Sequence, residues 1–334
     1  MTADWLPYNY RALFFVQLLV NPNDSLVDHL CTISHNHATR IFHMLLANPS
    51  SFDPNCQNGR PLIYAVSQGF THTVKLLLAD SRVDPSLDGG LALQKAVEEG
   101  YTEIVDILIT SGKVDPSVDN NYPIRVAADE GFTDIVRILL DTGRVDPAVS
   151  DSLPLRVAAK HGFLECVKLL LATGKVDPSA VRNSALCYSS ANGHAEITRV
   201  LLQDSRVDPS DVDNYPIRFA CQNGHIETVR LLLSDPRVDP AARENSAIRA
   251  ASQNRYAGVV RLLLSDSRVD PGADENYALR IACARGYPDI VQLLVASDKV
   301  DPTVLDNAIK LAFRNGNMEV VSILLKDENR KIKQ

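Results

Sequence analysis

The 334-residue chain has few aromatic side chains, 6% with a single Trp, so its core cannot rest on large rings. The apolar 45% must instead be packed from aliphatic residues and alanine, and that share is ample for a folded chain. Its six cysteines, Cys31, Cys56, Cys166, Cys187, Cys221 and Cys283, never form a C-x-x-C pair. That spacing excludes a zinc ribbon and a compact disulfide framework, and the thiols are read as reduced, in a cytoplasmic protein. No apolar run reaches the ~20 residues that a membrane-crossing helix needs, and the strongest covers only residues 12–20. Positive charge is also short. The net charge of −7 argues against a nucleic-acid backbone as the main partner, because that binding relies on Lys and Arg.

Catalytic and cofactor motifs are missing as well. There is no G-x-S-x-G and no H-E-x-x-H. Ser111-Gly112-Lys113 and Thr173-Gly174-Lys175 resemble the end of a phosphate loop, but the glycine five residues earlier is absent and both follow a helical pattern rather than a strand. His29, His35, His37 and His43 crowd around Cys31, yet no carboxylate or second thiol completes a ligand set, so they are read as a polar surface. No enzyme activity, cofactor or metal is expected.

What the chain does have is a repeat. Nine Asp-Pro pairs, at Asp53, Asp84, Asp115, Asp146, Asp177, Asp208, Asp239, Asp270 and Asp301, follow one another at a spacing of 31 residues. A fixed period of this size marks units that bury their apolar faces only against their neighbours. The unit from Asp115 to Val145 reads turn, helix, turn, helix. Asp-Pro suits a type I turn, with the Asp side chain accepting from the backbone ahead. A loop follows, and a short helix opens at Tyr122-Pro123, where proline is tolerated in the first turn. It stops at Gly131, which recurs as Gly69, Gly100, Gly162, Gly193, Gly224 and Gly286 and fits a left-handed helix end. The second helix starts with Thr and an acid, Thr102-Glu103 or Thr133-Asp134, read as a cap. Its apolar face includes Leu77, Leu108, Leu139, Leu170, Leu201, Leu232, Leu263 and Leu294, predicted to form a buried spine.

The segment YPIRVAADEGFTDIVRILL resembles the ankyrin repeat, whose Pro, Ala, Gly and Leu landmarks it shares. The resemblance implies an all-α solenoid of helix-turn-helix units with short loops. It assigns residues 1–52 to an N-terminal helical cap with a partial repeat, 53–325 to nine repeats and 326–334 to a charged, fraying tail. Residues 12–20, 26–33 and 39–47 are the cap's expected helices. The unit is two residues shorter than the usual 33, and the loss falls in the loop, which predicts a trimmed hairpin finger. Tyr or Ser and Arg stand where the family has Thr and His.

That Arg recurs as Arg125, Arg156, Arg218, Arg249 and Arg280, with Lys310 in the last unit. Like charges at helix-packing distance need partners, and loop carbonyls or Asp119, Asp213 and Glu275 are the expected ones. In ankyrin proteins partners usually dock on the concave side, which here implies the helix-end pairs. Asp88, Glu98, Glu99, Asp119, Asp129 and Glu130 place six carboxylates on two adjacent units, with Tyr122 and Lys160 beside them in the sequence pattern. The chain is therefore expected to be a monomeric scaffold or adaptor that binds a protein with a basic segment. A nucleic-acid binder using the arginine row and an unrecognised enzyme are the alternatives.

Overall fold

The computed structural model describes residues 39–40, 42–43, 46–47, 53–297, 299–300 and 302–332. The expected helices at 12–20 and 26–33, three of the four clustered histidines and Cys31 lie outside these residues. Among the described residues are eighteen α-helices, one short 3-10 helix and no strand. They fall into two compact units, Met1–Val149 and Ser150–Gln334.

The first unit carries α1 (Cys56–Ser67), α2 (Thr71–Ala79), α3 (Leu87–Glu98), α4 (Thr102–Thr110), α5 (Val118–Asp129) and α6 (Thr133–Asp141). The second begins within α7 (Val149–His161) and continues with α8 (Leu164–Ala172), α9 (Ala180–Ala191), α10 (Ala195–Leu202), α11 (Asp211–Gln222) and α12 (Ile226–Ser234). It ends with α13 (Ala242–Gln253), α14 (Ala257–Ser265), α15 (Ala273–Arg285), α16 (Pro288–Val295), α17 (Leu305–Arg314) and α18 (Met318–Ile332). Within each unit the first helices of successive repeats pack on one another, as α1, α3 and α5 do, and the second helices form a parallel row. The leucine spine is fully buried in both units, from Leu77 to Leu139 and from Leu170 to Leu294. In the last repeat, one residue shorter, Leu324 takes the same place at 0% exposure.

The turn at Asp-Pro forms as expected. Ser117 donates its backbone N–H and its Oγ to Asp115 Oδ1 at 3.0 and 2.8 Å. The predicted loop, however, is a left-handed turn of three residues. Asp119, Asn120 and Asn121 have φ of 49°, 52° and 57°, and right-handed helix resumes at Tyr122. Left-handed backbone costs about 1 kcal/mol or more per non-glycine residue, so something must offset it. The Asn121 N–H closes the turn on Ser117 O at 2.9 Å, and its Oδ1 accepts the Asp146 N–H of the next repeat at 2.8 Å. The same bond recurs from Asp208 to Asn183, Asp239 to Asn214 and Asp270 to Asn245, at 2.9, 2.7 and 2.8 Å. Asn tolerates this conformation, whereas the β-branched Val181 and Val212 enter it against their preference.

One sequence reading needs correction. Thr102 and Thr133 do not cap their helices: Tyr101 and Phe132 stand at the N-cap without a side-chain bond. Those rings lie instead against the glycine that ends the first helix one repeat earlier. A Cβ at Gly100 would come within 2.9 Å of Phe132, and one at Gly193 within 2.5 Å of His225 Nδ1. The glycine therefore serves a left-handed φ and a close approach together. α18 runs through Ile332, because Lys, Glu and Arg are good helix formers and extending a packed helix needs no new nucleus.

Candidate functional site

Each arginine of the repeated row reaches back to its own left-handed turn. Arg156 donates from Nε to Asp151 O and from Nη2 to Ser150 O, at 3.0 and 2.9 Å. Arg218 does the same to Asp213 O and Val212 O at 2.8 and 3.2 Å. Arg125 meets Asp119 O at 3.3 Å, and Arg249 bonds Arg243 O at 3.0 Å while pairing with Asp274. A planar fork of donors suits two neighbouring carbonyls, and it occupies the turn oxygens that the reversed backbone leaves exposed. Arg280 differs: its Nη1 pairs with the Glu275 carboxylate at 3.1 Å.

A second row of basic residues precedes every Val-Asp-Pro. Lys113 Nζ donates to Val83 O at 3.1 Å, Arg206 Nη1 to Val176 O at 3.1 Å, Arg237 to Val207 O at 2.8 Å and Arg268 to Val238 O at 2.7 Å. The sequence signal was the Lys/Arg-Val-Asp triplet itself. Its meaning depended on which carbonyl lay opposite. The phosphate-loop fragments belong to this device. Ser111 Oγ donates to Leu108 O and accepts from the Lys113 N–H at 2.6 and 3.3 Å, closing the helix end, and Thr173 repeats it.

Among the sequence-nominated acids, Glu98 and Tyr122 are brought together across adjacent repeats, the phenol donating to Glu98 Oε1 at 2.7 Å. Lys95 Nζ donates to Glu98 Oε2 at 2.6 Å. That bond, with Tyr122 assisting, holds the Glu98 carboxyl below the usual carboxylate range, and Glu98 in turn pushes the Tyr122 phenol up. Glu99, Asp129 and Glu130 are exposed at the C-terminal ends of the packed helices α3 and α5. Asp88 and Asp119, also exposed, lie in the left-handed turns at the opposite ends. Eight or so helical residues rise ~12 Å between the two groups, so the six carboxylates form two groups and not one patch. Lys160 is exposed in the second unit, where its carbonyl accepts Asn192 Nδ2 at 2.9 Å.

Some helix-end residues serve the solenoid itself. Asn223 and Asn254 donate to Ala191 O and Gln222 O of the preceding repeat, at 2.7 and 2.9 Å, as Asn192 does to Lys160 O. In these three repeats the second member of the helix-end pair is held by the solenoid itself. Burial pushes the Cys187 and Cys283 thiols up to about 12 and Cys221 higher still, which keeps these three in the unreactive thiol form. No group of metal-ligating side chains occurs among the described residues, and no helix among them is long and apolar enough to cross a membrane.

The chain matches the family model described as ankyrin repeats (3 copies) over residues 29–120, 111–182, 175–244 and 247–334. No curated protein matches it.

Proposed function

Because the chain belongs to the ankyrin-repeat family, whose members generally mediate protein–protein interaction, we propose that it is an interaction scaffold. Its first unit holds a basic segment of a partner protein on the acidic helix ends Glu98-Glu99 and Asp129-Glu130. The observation that carries this reading is the stacking of two acidic helix ends on packed helices, α3 and α5, with Glu99, Asp129 and Glu130 exposed. Like charges so placed focus negative potential, and several together speed the encounter with a cation where one pair alone would be screened. Glu98 and Tyr122 act as the fixed edge of the site, since they hold each other. Asp88 and Asp119 make a separate contact point for a longer partner, and Lys160 sets a boundary in the sequence of helix ends where the charge changes sign. Binding, with no bond chemistry, is the whole of the activity.

A nucleic-acid role is disfavoured for Arg125, Arg156, Arg218 and Arg249 of the arginine row, because they already donate to turn carbonyls. The test uses a labelled Lys/Arg-rich peptide and stopped-flow anisotropy. Changing Glu98, Glu99, Asp129 and Glu130 together to Lys should slow association severalfold and flatten its dependence on salt. An unchanged on-rate would remove the site from this surface.

A further inference from the structure

The last repeat lacks the device that occupies the arginine row elsewhere. Its loop is one residue shorter, and a 3-10 helix, Pro302–Val304, runs directly into α17 where earlier repeats insert the left-handed turn. No described residue between Pro302 and Arg314 has positive φ. Lys310, the last member of the row, therefore has no reversed turn to bond. Its contact is an exposed pair with Asp306 at 3.6 Å. Arg280, one repeat earlier, has likewise exchanged turn carbonyls for a Glu275 side chain that is 87% exposed.

Where the turn is missing, a groove of about 480 Å3 opens between α15 and α17. Arg280, Lys310 and Arg314 line it against one carboxylate, Glu275. Lys310 and Arg314 are four residues apart on α17 and so lie on one face. Arg314 makes no ion pair among the described residues, and it stands at a helix-end position that carries Glu98 and Asp129 in the first unit. The floor is apolar, with Leu279, Val304 and Leu311, and Asn307 adds an amide that can both donate and accept.

We propose that this groove binds a short acidic segment of a partner protein, in extended conformation, with an apolar side chain on the Leu279–Leu311 floor and carboxylates on Arg280, Lys310 and Arg314. The pairs to Glu275 and Asp306 are solvent-exposed, so a partner's carboxylates displace them at little cost. The groove size is that of a pocket for a small ligand or a few residues. An apolar floor and a side-chain amide suit a peptide, whereas a bare phosphate would leave the floor unused. The site lies wholly in the second unit and is independent of the acidic helix ends of the first.

The test is fluorescence anisotropy on the full chain with a labelled dodecapeptide of alternating Glu and Ser around a central Leu, and with its Gln-for-Glu counterpart. The Glu peptide should bind, and its affinity should fall about tenfold or more in the Gln peptide and in the K310E/R314E variant. It should be unchanged when Glu98, Glu99, Asp129 and Glu130 are changed to Lys. Circular dichroism melts establish that K310E/R314E is folded; if it is not, K310Q/R314Q decides, with a severalfold loss expected. Equal binding by the two peptides, wild-type affinity in the groove variants, or loss in the first-unit variant would overturn the proposal. Full displacement by an equimolar generic DNA duplex would also overturn it, since the groove would then be reading phosphate. Failure of the basic peptide to bind the first unit leaves this result standing, so the two readings fail separately.

Discussion

Asn214 is buried, and its Oδ1 accepts the Asp239 N–H of the following repeat at 2.7 Å. Replacing it with Ala removes that acceptor and leaves an alanine in left-handed backbone. Asn214→Ala should therefore lower stability by ~1–3 kcal/mol in urea titrations. Glu244→Gln, in the same kind of turn but exposed, should change it by less than ~0.5 kcal/mol. If the two variants matched, the side-chain clasp would have no energetic weight. Gly193 is the second instructive position. A methyl group there meets both a left-handed φ of 77° and the His225 ring. The glycine pattern announced the first constraint, because helix ends recur at one phase of the repeat. The ring was not legible, since it arrives from the next repeat through packing alone.

At the scale of the helix, the buried spine is the main source of cohesion. Leu139 and Leu170 are 0% exposed, so either change to Ala should cost ~2–5 kcal/mol through lost transfer energy and the cavity left behind. Thermal melts followed by circular dichroism measure it, and a negligible loss would contradict the packing described. The segment 254–258 departs from its counterparts. Arg255 holds φ of 60° where other repeats have glycine, tied by an ion pair to Asp289 at 3.3 Å and by its position over the Tyr287 ring. Gly258 enters the first turn of α14 in place of an acid. Both changes oppose local stability, by about 1 kcal/mol each, and the Arg255 contacts are exposed and weak. Amide exchange at 255–259 should be faster than at 224–228; equal protection would show that the ring contact fully compensates.

Across the whole molecule, four inter-repeat loops carry the same electrostatics. Arg82, Arg206, Arg237 and Arg268 hydrogen-bond Asp80, Asp204, Asp235 and Asp266, and these bonds hold the four carboxyls below their usual range. A carboxyl whose pKa is lower in the folded chain stabilises it fully above the unfolded value near 4 and loses that contribution as pH falls through the folded value. The melting temperature should thus be flat from about pH 7 to 5 and fall below about pH 4, and replacing all four Asp by Asn should flatten the acid limb. An acid limb unchanged in that variant would assign it to other carboxylates. The sequence by itself determined the repeat, its helical content, the buried leucines and the glycine stops, because these depend on spacing within one unit and every unit repeats the test. It also placed the arginine row and the acidic helix ends in the correct phase. Only the tertiary structure decided that the loop reverses into a left-handed turn, that arginines and the Lys/Arg before Val-Asp bond carbonyls, and that the six acids divide between opposite helix ends. The physical reason is that a side chain's charge is local, whereas its partner is fixed by how one repeat lies on the next.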